Sequence, residues 1–174
     1  MARAGGFGWR WAVALPLLLA SCLALAQDSA LEVKVGAAAV RRFTMAEMAA
    51  LPQTEVAESR SVGTGARAEQ AEVRWRGVLL RDLLDAAGVQ DLDRYALRHS
   101  GVVARATDNY AALFSWGELY NARVGDNVLV ITAMNGKPLP PNEGPYALRS
   151  LSDTKSGPRH VKWLNRVEVF TVPK

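Results

Sequence analysis

The clearest periodicity in this chain is helical, and it is confined to residues 77–88. Gly-Val-Leu-Leu-Arg-Asp-Leu-Leu-Asp-Ala-Ala-Gly places apolar side chains at 79, 80, 83, 84 and 87 and ends on Gly88. That spacing keeps one face of a helix apolar, and a terminal glycine readily takes the left-handed conformation that closes it. Most of the remaining signal is strand-like. Leu31-Glu-Val-Lys-Val35 alternates apolar and polar residues, the pattern of a half-buried strand. Residues 54–61, 95–99, 110–114, 146–151 and 167–172 read as further strands, and residues 128–134 as a buried one. Thr44-x-x-Glu47 and Ser115-x-x-Glu118 are capping boxes, each opening a short helix; the first covers residues 45–50 and stops at Pro52. Residues 62–65 read as loop, and Asn135-Gly136 marks a tight turn. Several strands with a few short helices, in no regular alternation, predict an α+β fold rather than a doubly wound sheet.

Composition narrows the function classes. The 174 residues are 49% apolar and 22% charged, with a mean hydropathy of −0.01, which is ordinary for one globular domain. A single Cys excludes an internal disulfide framework and a multi-cysteine zinc site. Two His residues leave little room for a His-rich metal centre.

Residues 1–26 read as an export signal. Arg3 and Arg10 form a positive start, residues 11–26 are uncharged, and Ala24-Leu25-Ala26 gives a small-x-small cleavage pattern. A membrane anchor is the competing reading, but 16 residues fall short of the roughly 20 needed to span. Leu19-Ala20-Ser21-Cys22 also has the form of a lipoprotein box, in which Cys22 would be acylated, although the apolar run continues beyond it. The expectation is cleavage after Ala26, leaving one domain over residues 27–174 that is periplasmic or secreted. Losing Arg3 and Arg10 leaves 19 basic against 17 acidic groups, a net charge of +2, which gives no basis for nucleic-acid binding. The excess sits at the end of the chain: residues 143–174 hold six basic and three acidic groups.

Searches for catalytic motifs find no Gly-x-Ser-x-Gly elbow, no phosphate-binding Gly-x-x-x-x-Gly-Lys and no His-Glu-x-x-His. His99 beside Ser100 reads as a strand end rather than a general base, and the paired acids at 82/85 and 91/93 as solvated faces. No catalytic or metal-ligating residue is therefore assigned. One segment stands out: Ser156-Gly-Pro-Arg159-His160-Val161-Lys162-Trp163-Leu164. Arg offers planar, bidentate donors to an anion and Lys a mobile point charge. A solvated basic turn anchored by Trp163 would have the same composition.

Longer strings carry a resemblance. Met134-Asn-Gly-Lys-Pro-Leu-Pro140, Gly144-Pro145, Arg149 and Arg159-His-Val-Lys-Trp-Leu164 resemble the molybdopterin-binding domain of the sulfite oxidase family. Upstream, Leu51-Pro52, Glu55-Val56 and Trp75-x-Gly77-Val-Leu-Leu-x-Asp82-Leu-Leu-x-x-Ala87-Gly88 follow the same order. The likeness runs from about residue 43 to 169. It implies that fold, with a mixed β-sheet and short helices, and a molybdenum cofactor whose sulfur ligation is completed by one Cys. That Cys falls here at Ser61 or Val62, where no thiolate is available. The family's His before the Gly-Pro turn is replaced by Glu143. Arg149, His160 and Lys162, with neighbouring Arg159, stand where the resemblance places pterin- and phosphate-contacting residues.

Three functions follow from these residues. The first is an exported, non-catalytic binding or interaction module with an anion-friendly cleft for a small anion or pterin-like ligand, with no cofactor expected. The second is a molybdopterin-dependent oxidoreductase acting on a small oxyanion or sulfur compound. The third is a scaffold or sensory partner of another exported or membrane protein.

Overall fold

A computed structural model describes residues 29–62, 69–155 and 157–173. Residues 1–26, expected to be an export signal, with Cys22, most of the loop expected at residues 62–65, and Ser156 lie outside the described residues. The chain runs through β1 (Leu31–Val35), β2 (Arg41–Phe43), α1 (Met45–Ala50), β3 (Thr54–Val62), β4 (Glu69–Leu79), α2 (Leu80–Ala86), α3 (Arg94–Arg98) and β5 (Ser100–Ala106). It continues through β6 (Ala111–Ser115), α4 (Trp116–Tyr120), β7 (Val128–Met134), β8 (Lys137–Pro138), β9 (Ala147–Ser150), β10 (His160–Val161) and β11 (Leu164–Thr171). The fold is α+β, as the sequence pattern predicts.

The strands form two sheets. One has the order β2-β1-β11-β5-β6; the other runs β10-β9-β7-β4-β3, with β8 added beside β7. Every pairing is antiparallel except β1 with β11. The main core joins both sheets and α2: Val33, Phe43, Val102, Phe114 and Val167 pack with Val78, Leu83, Leu84, Val130 and Leu148. Because side chains alternate across a strand, the intervening residues of β4, β7 and β9 face the other way. Val73, Trp75, Leu79, Leu129, Ile131 and Ala147 make a second apolar cluster on the outer face of the six-stranded sheet. Arg149 shares that face.

Two expected boundaries are corrected. The predicted helix begins at Leu80, because Gly77, Val78 and Leu79 extend β4 and pair with Ile131, Val130 and Leu129. Residues 95–99 are not a strand but mostly the helix α3, opened by Asp93, whose carboxylate accepts from the backbone N–H groups of Tyr95 and Ala96. His99 is accordingly a helix end, and the strand starts after it as β5. Both capping boxes form as expected, at Thr44 and Ser115. Among the described residues no helix is long and apolar enough to cross a membrane.

Candidate functional site

The antiparallel pairing of β9 with β10 sets His160 directly opposite Arg149, on the outer face of the six-stranded sheet. Arg149 is only 1% exposed, so its charge needs a partner. Its Nη2 donates to Glu58 Oε1 on β3 at 3.1 Å, and its guanidinium lies 4.8 Å from the centre of the Trp75 ring. Trp75 Nε1 donates to the second Glu58 oxygen at 2.8 Å. Glu58 thus fixes both the indole and the guanidinium that covers it.

His160 and Lys162 meet a second carboxylate. Glu143 Oε2 lies 2.8 Å from His160 Nε2, and its Oε1 lies 3.2 Å from Lys162 Nζ. Burial pushes the Glu143 carboxyl up, but its hydrogen bonds and charge interactions with His160 and Lys162 hold it below the usual carboxylate range. The backbone presents this side chain firmly. Glu143 N and Gly144 N both donate to Pro140 O, and Trp163 N donates to Glu143 O at 2.8 Å. Gly144 has φ +96°, and a Cβ there would come within 2.8 Å of Trp163 Cα, so glycine is the residue that fits. Trp163 itself has φ +47° and donates from Nε1 to Pro141 O at 2.8 Å.

Arg159 is directed elsewhere. Its Nε donates to Asp153 Oδ2 at 2.8 Å and its Nη1 to Glu118 Oε1 at 3.1 Å, with the guanidinium 4.7 Å from the centre of the Phe114 ring. Those bonds hold Asp153 low despite partial burial. Glu118 serves twice, since its Oε2 also completes the α4 capping box. The structure therefore brings Arg149, His160 and Lys162 into one patch, and draws Arg159 toward α4. Each of the four faces a carboxylate of this chain.

Glu58, Glu118 and Asp153 escaped the sequence reading as partners. Glu58 lies 91 positions from Arg149 and Glu118 lies 41 from Arg159, and no local pattern links such residues. His99 and Ser100 are turned to helix α3: His99 Nδ1 is 2.9 Å from Tyr95 O, and Ser100 Oγ donates to Ala96 O. Ser61 and Val62, the positions where the resemblance puts a metal-binding Cys, end β3 opposite Gln70 and Glu69.

The chain belongs to the oxidoreductase molybdopterin-binding domain family, whose match spans residues 23–174. It is 36% identical over 98 residues to the mitochondrial sulfite oxidase of Macaca fascicularis, covering 55% of this chain and 17% of that protein. The crystal structure of the sulfane dehydrogenase SoxCD from Paracoccus pantotrophus has the same fold, with a TM-score of 0.62 and 21% identity. That likeness covers 83% of this chain and 38% of the other. The chain thus spans well under half the length of these two relatives.

The donor set does not fit a molybdenum centre with a protein thiolate. The only Cys of the sequence is Cys22, and a Ser hydroxyl or Val isopropyl group is no substitute for a soft sulfur ligand. Among the described residues no group of three or more His, Cys, Asp or Glu side chains is placed to hold a metal ion. Glu143 and Glu58 also take the cations that an anionic group would need.

Proposed function

We propose that this chain is a non-catalytic binding or interaction module built on the molybdopterin-binding fold, exported and acting outside the cytoplasm. One observation carries the reading: Glu143 lies between His160 and Lys162, in the place where a ligand anion would sit. A pocket that supplies its own counter-charge has little electrostatic gain left to offer a pterin phosphate. A small anion competing for Lys162, which is 39% exposed, remains a compatible ligand. On this reading, with residues 1–26 as an export signal, its partner is an exported or membrane protein.

Calorimetric titration with molybdopterin, sulfite and phosphate tests this reading. Weak or undetectable binding of molybdopterin is the expected result. Tight, stoichiometric binding would instead favour the molybdopterin-dependent oxidoreductase. Family membership and the sulfite oxidase relative are the support for that second reading.

A further inference from the structure

A second place on the molecule has the groups of a binding site and no part in the patch described above. Helices α3 and α4 and the turn before α3 enclose a hollow of about 510 Å³, within the roughly 300–1,000 Å³ of small-molecule sites. Trp116 and Tyr120 form one wall, stacked with ring centres 5.2 Å apart and planes 14° from parallel. Leu92 and Leu97 add apolar surface. Arg94 and Arg98 lie four residues apart on α3, hence on one side of it, and both line the hollow.

Two features point to a ligand. Neither Arg94 nor Arg98 forms an ion pair with an acid among the described residues; Arg41, Arg76 and Arg123 form none either, but Arg94 and Arg98 stand together beside the stacked rings of one hollow. The Arg98 guanidinium lies 5.8 Å from the centre of the Tyr95 ring. The indole Nε1 of Trp116 is buried with no acceptor among the described residues, and such a donor is costly to leave unmatched. Behind Tyr120 stands Asp85, whose Oδ1 accepts from Tyr120 Oη at 2.8 Å and from Gln90 Nε2 at 2.7 Å. Two guanidinium groups thus line the hollow, and the carboxylates behind Tyr120, Asp85 and Asp82, face Arg81 as well.

We propose that this hollow binds a small aromatic monocarboxylate. The flat ring packs against the Trp116–Tyr120 wall, and the carboxylate accepts from Arg94 and Arg98. One of its oxygens, or a ring acceptor, meets the Trp116 N–H after a small rotation of the indole. Asp85 disfavours ligands of higher negative charge, and a neutral aromatic forfeits both guanidinium contacts.

The test is an NMR titration of the ¹⁵N-labelled protein, as its host processes it, with naphthalene-2-carboxylate. The expected result is a downfield shift of the Trp116 indole N–H. The Trp75 and Trp163 indoles, already donating to Glu58 and Pro141, stay in place as internal references. An R94A/R98A variant, altered at exposed positions, should bind at least tenfold more weakly, while Lys137→Ala, on a distant hairpin, should bind as wild type does. No movement of the Trp116 signal, equal affinity for the uncharged naphthalene-2-methanol, or unchanged affinity in R94A/R98A would each overturn the proposal.

Discussion

Glu143 Oε2 lies 2.8 Å from His160 Nε2, so the imidazole that the family resemblance assigns to a ligand is held by a carboxylate of its own chain. With Lys162 on the other oxygen, this one side chain decides whether the patch is open to anions. Replacing it with the neutral isostere, Glu143→Gln, leaves the Lys162 charge uncompensated. Phosphate or sulfite binding should then be stronger than in the wild type by calorimetry, and a further Lys162→Ala change should remove the gain. Identical titrations of wild type and Glu143→Gln would show that the carboxylate does not control access.

The same contact gives a pH dependence with a definite sign. Glu143 is held below its ordinary value of 4.5 in the folded protein. Its contribution to stability is therefore present above about pH 4.5 and is lost as pH falls through the lowered folded value. Asp153, lowered chiefly by Arg159, and Glu118, lowered by its capping bonds with Ser115 and then by Arg159, act in the same direction. Urea denaturation at pH 7 and at pH 3.5 should show a stability loss on acidification. Glu143→Gln should show a smaller one, because Asp153 and Glu118 remain to titrate.

Arg149 and Glu58 form the buried half of the patch, with side chains 2% and 19% exposed. Removing Glu58 takes one hydrogen-bond partner from each of Arg149 and the Trp75 indole. Glu58→Ala should therefore lose about 1–3 kcal/mol, the cost of disturbing buried polar groups. Glu58→Gln, which can still accept from Trp75, should lose less. A loss below about 0.5 kcal/mol for Glu58→Ala would mean that the pair behaves as a surface contact.

Leu83 is fully buried on α2, and Leu83→Ala should cost about 2–5 kcal/mol in chemical denaturation. A loss of surface size, below about 0.5 kcal/mol, would place its face outside the core.

Trp163 ties the Glu143 loop to the strands through its backbone N–H, its indole N–H to Pro141, and its carbonyl, which accepts from Thr107 N. Because it is half-buried, Trp163→Ala should cost less than the roughly 3–5 kcal/mol of a core aromatic. Thermal unfolding should nonetheless move clearly downward. An unchanged midpoint with altered anion binding would assign the ring to ligand contact instead.

Much of this architecture was legible in local pattern. The 3.6-residue spacing of Leu80, Leu83 and Leu84 identified α2, and the Thr44 and Ser115 capping boxes located α1 and α4. Where sequence reading failed, a distant strand decided. Gly77, Val78 and Leu79 fit either a helix or a strand, and pairing with β7 selected the strand; a Cβ at residue 77 would collide with the Val130 carbonyl. Residues 95–99 read as a strand from the Tyr-Ala-Leu run, and Asp93 as part of a solvated face; in the fold Asp93 caps a helix over residues 94–98. The cations of the patch were visible as Arg149, His160 and Lys162, and Glu143 was visible beside them. Their neutralisation was not, because Glu58 reaches Arg149 only once β3 is laid across the sheet.

The central claim, that this member of the family does not hold its molybdenum cofactor, is tested most directly by metal and pterin analysis of the protein purified from its own host. Molybdenum and molybdopterin at well below one per chain is the predicted result, with the missing thiolate and the Glu143 contact as the reasons. One molybdenum and one molybdopterin per chain, with redox activity toward a sulfur compound or oxyanion, would contradict it.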